Sequence, residues 1–252
     1  AGHPRLRFEL ETYTAAYAHY NKDADYVRRK NPSSPVYAWA KGQLIAGLHT
    51  SESLLTNIRK GGLLPELSHF ECSDCHQSIA VLTDINRSHE NFGTPSINIS
   101  NMVMIHAIAS VLDRRLAAQI RNNISLLIHD TDSRKSITEA LTSLTKQIKK
   151  LQPSLQSLEA KQISGLDLAN HLISSMKELT APSYYMAEMT AMSLSTLLVS
   201  DYEDRRIDST KLKALEAKLD SVFLHLGNET NYNRGDYLRA VNAFADGINH
   251  EL

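Results

Sequence analysis

Apolar and aromatic residues recur along most of the chain in alternating steps of four and three, the spacing that gathers side chains on one face of an α-helix. Leu6, Leu10, Tyr13, Tyr17, Tyr20, Ala24 and Val27 form one such stripe and predict a first helix. It ends at Asn31-Pro32-Ser33-Ser34-Pro35, because proline lacks the N–H a helix needs and pushes the residue before it out of the α region. Tyr37, Ala40, Leu44, Leu48, Leu55 and Ile58 predict a second helix over about 36–59, stopped by Gly61-Gly62. The pair reads as two long antiparallel helices. Past Pro95, the series Met102, Ile105, Ala109, Leu112, Leu116, Ile120, Leu127 predicts one long helix reaching about His129. At 1.5 Å per residue it would span about 45 Å. Asp130-Thr131-Asp132-Ser133 is a helix-start signal. Beyond it Ile137, Leu141, Leu144, Ile148, Leu151, Leu155 and Leu158 keep strict heptads through Pro153, which kinks or restarts that helix. Four more helices are predicted over about 162–179, 183–200, 212–226 and 235–250.

Composition strengthens this picture. Ten glycines and seven prolines are few turn residues for 252 positions, and they favour long helices over many short strands. The expected fold is all-α, a bundle of seven or eight helices. It forms either one bundle or two that share the long helix, divided into 1–130 and 131–252. No apolar run approaches the ~18 residues of a membrane helix, so no integral membrane span is expected. Lys and Arg number 27 against 28 Asp and Glu, a formal charge of −1. Neither nucleic acid nor anionic lipid finds a general electrostatic attraction here. The clusters Arg28-Arg29-Lys30, Arg114-Arg115, Lys146 with Lys149-Lys150, and 201–206 read as solvated helix faces or ends.

Residues 61–97 break the helical pattern and hold the chemistry. Both cysteines fall in Glu71-Cys72-Ser73-Asp74-Cys75-His76, a C-x-x-C-H motif. Two thiols at this spacing can each add to one vinyl group of a single porphyrin, and the adjacent histidine then meets the iron on one face. A surface disulfide, a pair of reduced thiols, or zinc held by the two thiolates with His76 and His69 or His89 are the other chemistries open to these residues. A thioredoxin-like pair would need a βαβ setting that the helical pattern does not offer. On Cys72, Cys75 and His76 the chain resembles the c-type cytochromes. That resemblance implies one covalent haem c, with Cys72, Cys75 and His76 binding the cofactor and His76 its proximal metal ligand. The chain departs from familiar cytochromes in length, since 176 residues follow His76.

For the sixth iron position the first candidate is Met102, at the end of the loop 93–102, where a thioether would raise the potential. His106, one turn further on the same face, is second; His89, His49 and an open sixth site follow. The resemblance implies an exported, periplasmic or otherwise extracytoplasmic protein, because attachment to C-x-x-C-H takes place outside the cytoplasm. Two function classes follow: an electron carrier serving a redox partner protein, or a haem-based sensor or binding module that shifts long helices. No nucleophile and base pair is legible, so an enzyme is not the reading. A further pattern, Gly47-Leu48-His49-Thr50-Ser51-Glu52, is similar to the G-x-H-x-x-E signature of imelysin-like periplasmic proteins associated with iron uptake, and sets His49 and Glu52 on one helical face. The heptads over 137–158 suit a partner helix, in cis or in a homodimer.

Overall fold

The run Met102 to Ala109 has no polar residue except His106. A helix apolar on every side can be stable only when other elements enclose it. In the computed structural model, which describes residues 9–17, 23–30, 33–60, 69–71, 96–129, 133–160 and 162–249, this run forms α4 (Ser100–Leu112). Nine of its thirteen residues are buried. The other helices are α1 (Leu10–Tyr17), α2 (Ala24–Lys30), α3 (Pro35–Lys60), α5 (Arg114–His129), α6 (Arg134–Leu151), a short α7 (Gln156–Glu159), α8 (Gly165–Leu179), α9 (Tyr184–Glu203), α10 (Ser209–Leu224) and α11 (Arg234–Asn249). The protein is an all-α helical bundle. Among the described residues the one β feature is an isolated antiparallel bridge between Phe70 and Ile97. No helix there is long and apolar enough to cross a membrane.

Helices α3, α5, α6, α8 and α9 all pack on α4. Helix α9 is nearly as enclosed, with fifteen of twenty residues buried, and α10 and α11 close its outer side together with α8. One hydrophobic cluster runs from Val36 to Phe244. Contacts of α3 with α6 and α9, and of α4 with α8, cross position 130.

Two expectations need correction. The single helix from Pro95 to His129 is two helices, interrupted at Asp113, whose backbone is extended (φ −155°, ψ 92°). Its Oδ1 accepts the Leu116 N–H at 2.9 Å, the arrangement of an N-cap. The chain turns there, and α5 packs on α4. The first apolar stripe also does not face the core. Residues 18–22 lie outside the described set, and on the helices either side Leu10 (55% exposed), Tyr13, Tyr17 (75%) and Val27 face solvent. Helix α1 is held by its polar side instead. The Glu9 carboxylate accepts from the Thr12 N–H and the Thr196 hydroxyl, both at 2.7 Å, and Thr12 Oγ1 donates to the Met192 carbonyl at 3.1 Å. The heptads at 141–158, by contrast, are fully buried. Their partners are in cis: α3 and α5.

Helix starts follow sequence signals. Ser133 accepts from Ser136 N at 3.2 Å and Ser183 from Met186 N at 3.2 Å, while Asp208 accepts from Thr210 and Lys211. Pro153 sits in a 3-10 turn, Gln152–Leu155, between α6 and α7, where its missing N–H does least harm. The start of α8 is the tightest junction. Asp201, 2% exposed on α9, accepts from Gly165 N (2.6 Å), Leu166 N (3.0 Å) and the Ser164 hydroxyl (2.5 Å). Its negative charge lies at the positive end of the α8 dipole. A Cβ on Gly165 would collide with the Leu197 carbonyl oxygen, which is backbone and cannot yield. Gly42, on the exposed face of α3, has nothing within 4 Å of that position.

These two glycines should therefore respond oppositely to alanine. Gly165→Ala is expected to cost about 1–3 kcal/mol through forced displacement of α8 from α9. Gly42→Ala is expected to stabilise by about 0.5–1 kcal/mol through helix propensity. Urea unfolding at matched m-values reads both; equal effects would show that the α8–α9 approach is not tight in solution.

Candidate functional site

Cys72, Cys75, His76 and His89 lie outside the described residues, which include 69–71 just before the motif and resume at Ser96. On α3, Ser53 and Asn57 are one turn apart and both reach His69. Its Nε2 is 2.9 Å from Asn57 Nδ2 and 3.2 Å from Ser53 Oγ. Both contacts meet at one ring nitrogen and tie His69 to α3. The His69 carbonyl in turn accepts from Asn98 N at 2.8 Å, and Glu71 N donates to the Ser96 carbonyl at 2.9 Å. Residues 69–71 and 96–98 are thus clamped to each other, and through His69 to α3. The chain leaves this clamp at Glu71 and returns to it at Ser96, with the motif directly after the exit.

Helix α4 begins four residues beyond Ser96. Met102, in its first turn, is 1% exposed, and Ser100, also fully buried, has an Oγ with no hydrogen-bond partner among the described residues. A buried hydroxyl left without a partner costs about 1–3 kcal/mol, which makes Ser100 notable at this position. His106 lies one turn beyond Met102 and is buried between α4 and α8, with Nδ1 2.8 Å from Ser175 Oγ. Burial, then the Arg121 guanidinium, lowers the pKa of His106 below its ordinary value, and the Glu178 carboxylate partly opposes this. The ring is therefore neutral near pH 7. Arg121 and Glu178 pair with each other at 3.2 Å on the surface, joining α5 to α8.

The G-x-H-x-x-E positions are separated by role. Gly47 is buried where α3 meets α4, and a Cβ there would press on the Ile105 side chain. His49 is exposed. Glu52 is exposed and paired with Lys149 of α6 at 3.0 Å, so its carboxylate already faces a cation. Among the described residues no three His, Cys, Asp or Glu side chains gather to hold a metal ion. A shallow surface groove at the α9–α10 turn, lined by Tyr202, Glu203, Arg205, Arg206, Ile207 and Asp208, has no connection to the clamp.

The clamp was not foreseen from sequence. The signal available was Ser53 and Asn57 at helical spacing, followed by a histidine just ahead of the motif. The His106–Ser175 pair, 69 residues apart, left no local signal at all. No family model, no curated protein and no solved structure matches the chain.

The buried, neutral His106 makes acid destabilising. Above pH ~6.5 the ring is neutral in folded and unfolded chains alike. As pH falls below that value the unfolded chain takes up the proton first, so stability is lost by at most about 1.4 kcal/mol per pH unit from this group. His106→Gln, which can still bond Ser175, should flatten that part of the decline. Chemical denaturation of both proteins at pH values between about 7.5 and 5 measures it, and parallel curves would show that His106 is not a buried neutral base.

Proposed function

We propose that the chain carries one covalent haem c on Cys72, Cys75 and His76 and acts as an extracytoplasmic electron carrier for a redox partner protein. The observation that supports this reading is the clamp: a C-x-x-C-H motif emerges from a chain exit pinned by backbone hydrogen bonds at 2.8 and 2.9 Å and tied to α3 by a buried histidine. An electron carrier works best when its cofactor site does not rearrange between charge states. The loop that carries the motif starts and ends at fixed points on a helical core, which supports this reading.

Ser100 offers a buried hydroxyl with no hydrogen-bond partner among the described residues, and apolar Met102, Val103 and Ile105 lie on the same helix. When bound, haem supplies a one-electron iron couple whose potential follows from its axial ligands and burial. In this reading Cys72 and Cys75 anchor the group as thioethers and His76 is the proximal ligand. Met102 is the sixth ligand in preference to His106, because the His106 ring already bonds Ser175 across the α4–α8 seam. The buried surroundings of Met102 would raise the potential further by excluding water.

Cys72→Ala and Cys75→Ala should each lower covalent haem, and the double variant should abolish it. A pyridine haemochrome spectrum on denatured protein, expressed with haem-attachment machinery, reads this directly; unchanged pigment in the double variant would refute the proposal. Met102→Leu keeps the core filled, at a stability change under about 1.5 kcal/mol, and removes the sulfur. The reduced wild-type protein should resist carbon monoxide and the variant should bind it; rapid binding by both would eliminate Met102 as ligand.

A further inference from the structure

Helices α5 and α6 carry basic residues where nothing in the fold asks for them. Over 114–151 the sequence has eight Lys and Arg against three Asp and Glu, so the rest of a chain of formal charge −1 is acidic. Both helices open on a pair of cations, Arg114-Arg115 and Arg134-Lys135, with no acidic residue in the first turn. A cation there opposes the helix dipole and destabilises the helix. Arg121 and Lys149 pair with Glu178 and Glu52. Arg114, Arg115, Lys135, Lys146 and Lys150 are exposed and have no carboxylate partner among the described residues. A local rule broken twice with no structural return marks a face kept for function.

Packing gathers clusters that are separate in the sequence. Asn123 of α5 donates to Ser143 and Gln147 of α6, both at 3.0 Å, which fixes the register of this antiparallel pair. On α5, Arg115, Gln119, Asn122 and Leu126 follow steps of four, three and four, and on α6 Lys135, Glu139, Lys146 and Lys150 share a second stripe. All of them are exposed, on the side away from the buried Leu116, Ile120, Leu141 and Ile148. Neighbouring helices lie about 9 Å apart. The two stripes therefore form one flat, basic surface about 20 Å long.

From this surface we infer that the α5–α6 face rests on a bilayer of anionic phospholipid. The inference is independent of the haem reading. The sign of the charge selects an anionic occupant, and the side chains between the cations select among anions. Neither helix has a Phe, Tyr or Trp. Unpaired bases thus find no platform on which to stack, and a protein partner finds none of the aromatic anchors that dominate such contacts. Leu126, 42% exposed, lies among the cations. An apolar side chain there gains nothing from the phosphates of a nucleic-acid duplex, but it can enter the headgroup layer of a bilayer. Mobile headgroups also adapt to any spacing of cations, so flatness and sign suffice. Binding of this kind is peripheral and reversible, and each cation near the surface contributes about fivefold in partition.

Flotation of the full chain with lipid vesicles tests this. The protein should bind phosphatidylcholine vesicles that contain about one third phosphatidylglycerol and leave those of phosphatidylcholine alone. It should be released as salt approaches about 1 M, where charges are screened beyond ~3 Å. Arg115→Gln, Lys146→Gln and Lys150→Gln together should weaken binding on the order of 100-fold, with unchanged thermal unfolding because these side chains are exposed. Leu126→Ser should weaken it severalfold. Arg28→Gln, Arg29→Gln and Lys30→Gln on α2 remove the same charge elsewhere and should leave binding intact. No binding to the anionic vesicles overturns the inference, and so does equal loss from the α2 set. Binding to a DNA duplex that is tighter than to vesicles and indifferent to Leu126→Ser overturns it in favour of nucleic acid. Binding to polyglutamate as tight as to vesicles overturns it in favour of an acidic protein.

Discussion

A helix with no polar face must be surrounded, and α4 imposes that requirement on the rest of the molecule. Its buried residues from Met102 to Ala109 have to be covered on all sides, and five helices from both halves of the sequence provide the cover. Close approach is built in where it is needed: Gly47 lets α3 settle against Ile105, and the Asp113 cap lets α5 fold away from the axis of α4 and return to pack on it. The clamp at 69–71 and 96–98 stands directly before this helix. The loop that carries C-x-x-C-H in the sequence is consequently attached to a fully enclosed part of the fold.

The polar groups inside the bundle set its register, as apolar packing alone does not. Trp39 donates its indole N–H to Ser193 at 2.9 Å, and Ser193 donates to the Met189 carbonyl at 2.7 Å. Tyr237 and Tyr184 donate to the Ala187 and Leu226 carbonyls at 3.0 and 2.7 Å. Burial of its phenol raises the pKa of Tyr237 well above the ordinary value, so it remains a donor. The Trp39, Tyr237 and Tyr184 bonds link elements far apart in sequence and would be lost if a helix slid by one turn, leaving a buried polar group without a partner. Such a loss costs about 1–3 kcal/mol, enough to define one packing among many with similar apolar burial.

Helices were legible in the sequence wherever their apolar face is the buried one. For α3, α6 and α8–α11 the predicted and observed elements coincide to within a few residues, and Ser133 and Ser183 act as caps where the sequence signals starts. The break at Asp113 was hidden because Ala109, Leu112 and Leu116 continue the four–three spacing across it; the signal lay in one acidic residue three positions before Leu116. The α1–α2 stripe was hidden for the opposite reason: periodicity shows that a face is apolar and says nothing about what covers it. At the candidate site, the C-x-x-C-H motif is a local sequence pattern, and the residues that form it lie outside the described ones. Its supports come from Ser53, Asn57 and Asn98, and Ser175 reaches His106 from 69 residues away. Only the tertiary fold makes such partners neighbours.

The segment that the clamp closes, 69–98, is small beside a chain of 252 residues. Packing accounts for part of that size. The clamp fixes two chain ends, but a two-stranded contact of this length is marginal by itself. It holds because one strand is hydrogen-bonded through His69 to a 26-residue helix and the other runs into α4. Helix α4 in turn is stable only inside the ring that α3, α5, α6, α8 and α9 form. Removing the C-terminal helices would expose the faces of α4 that α8 and α9 cover, and the clamp would lose the support it draws from α4. On this argument the sequence beyond 130 is required by the loop before 100, as the enclosure that gives a buried apolar helix a fixed place to begin.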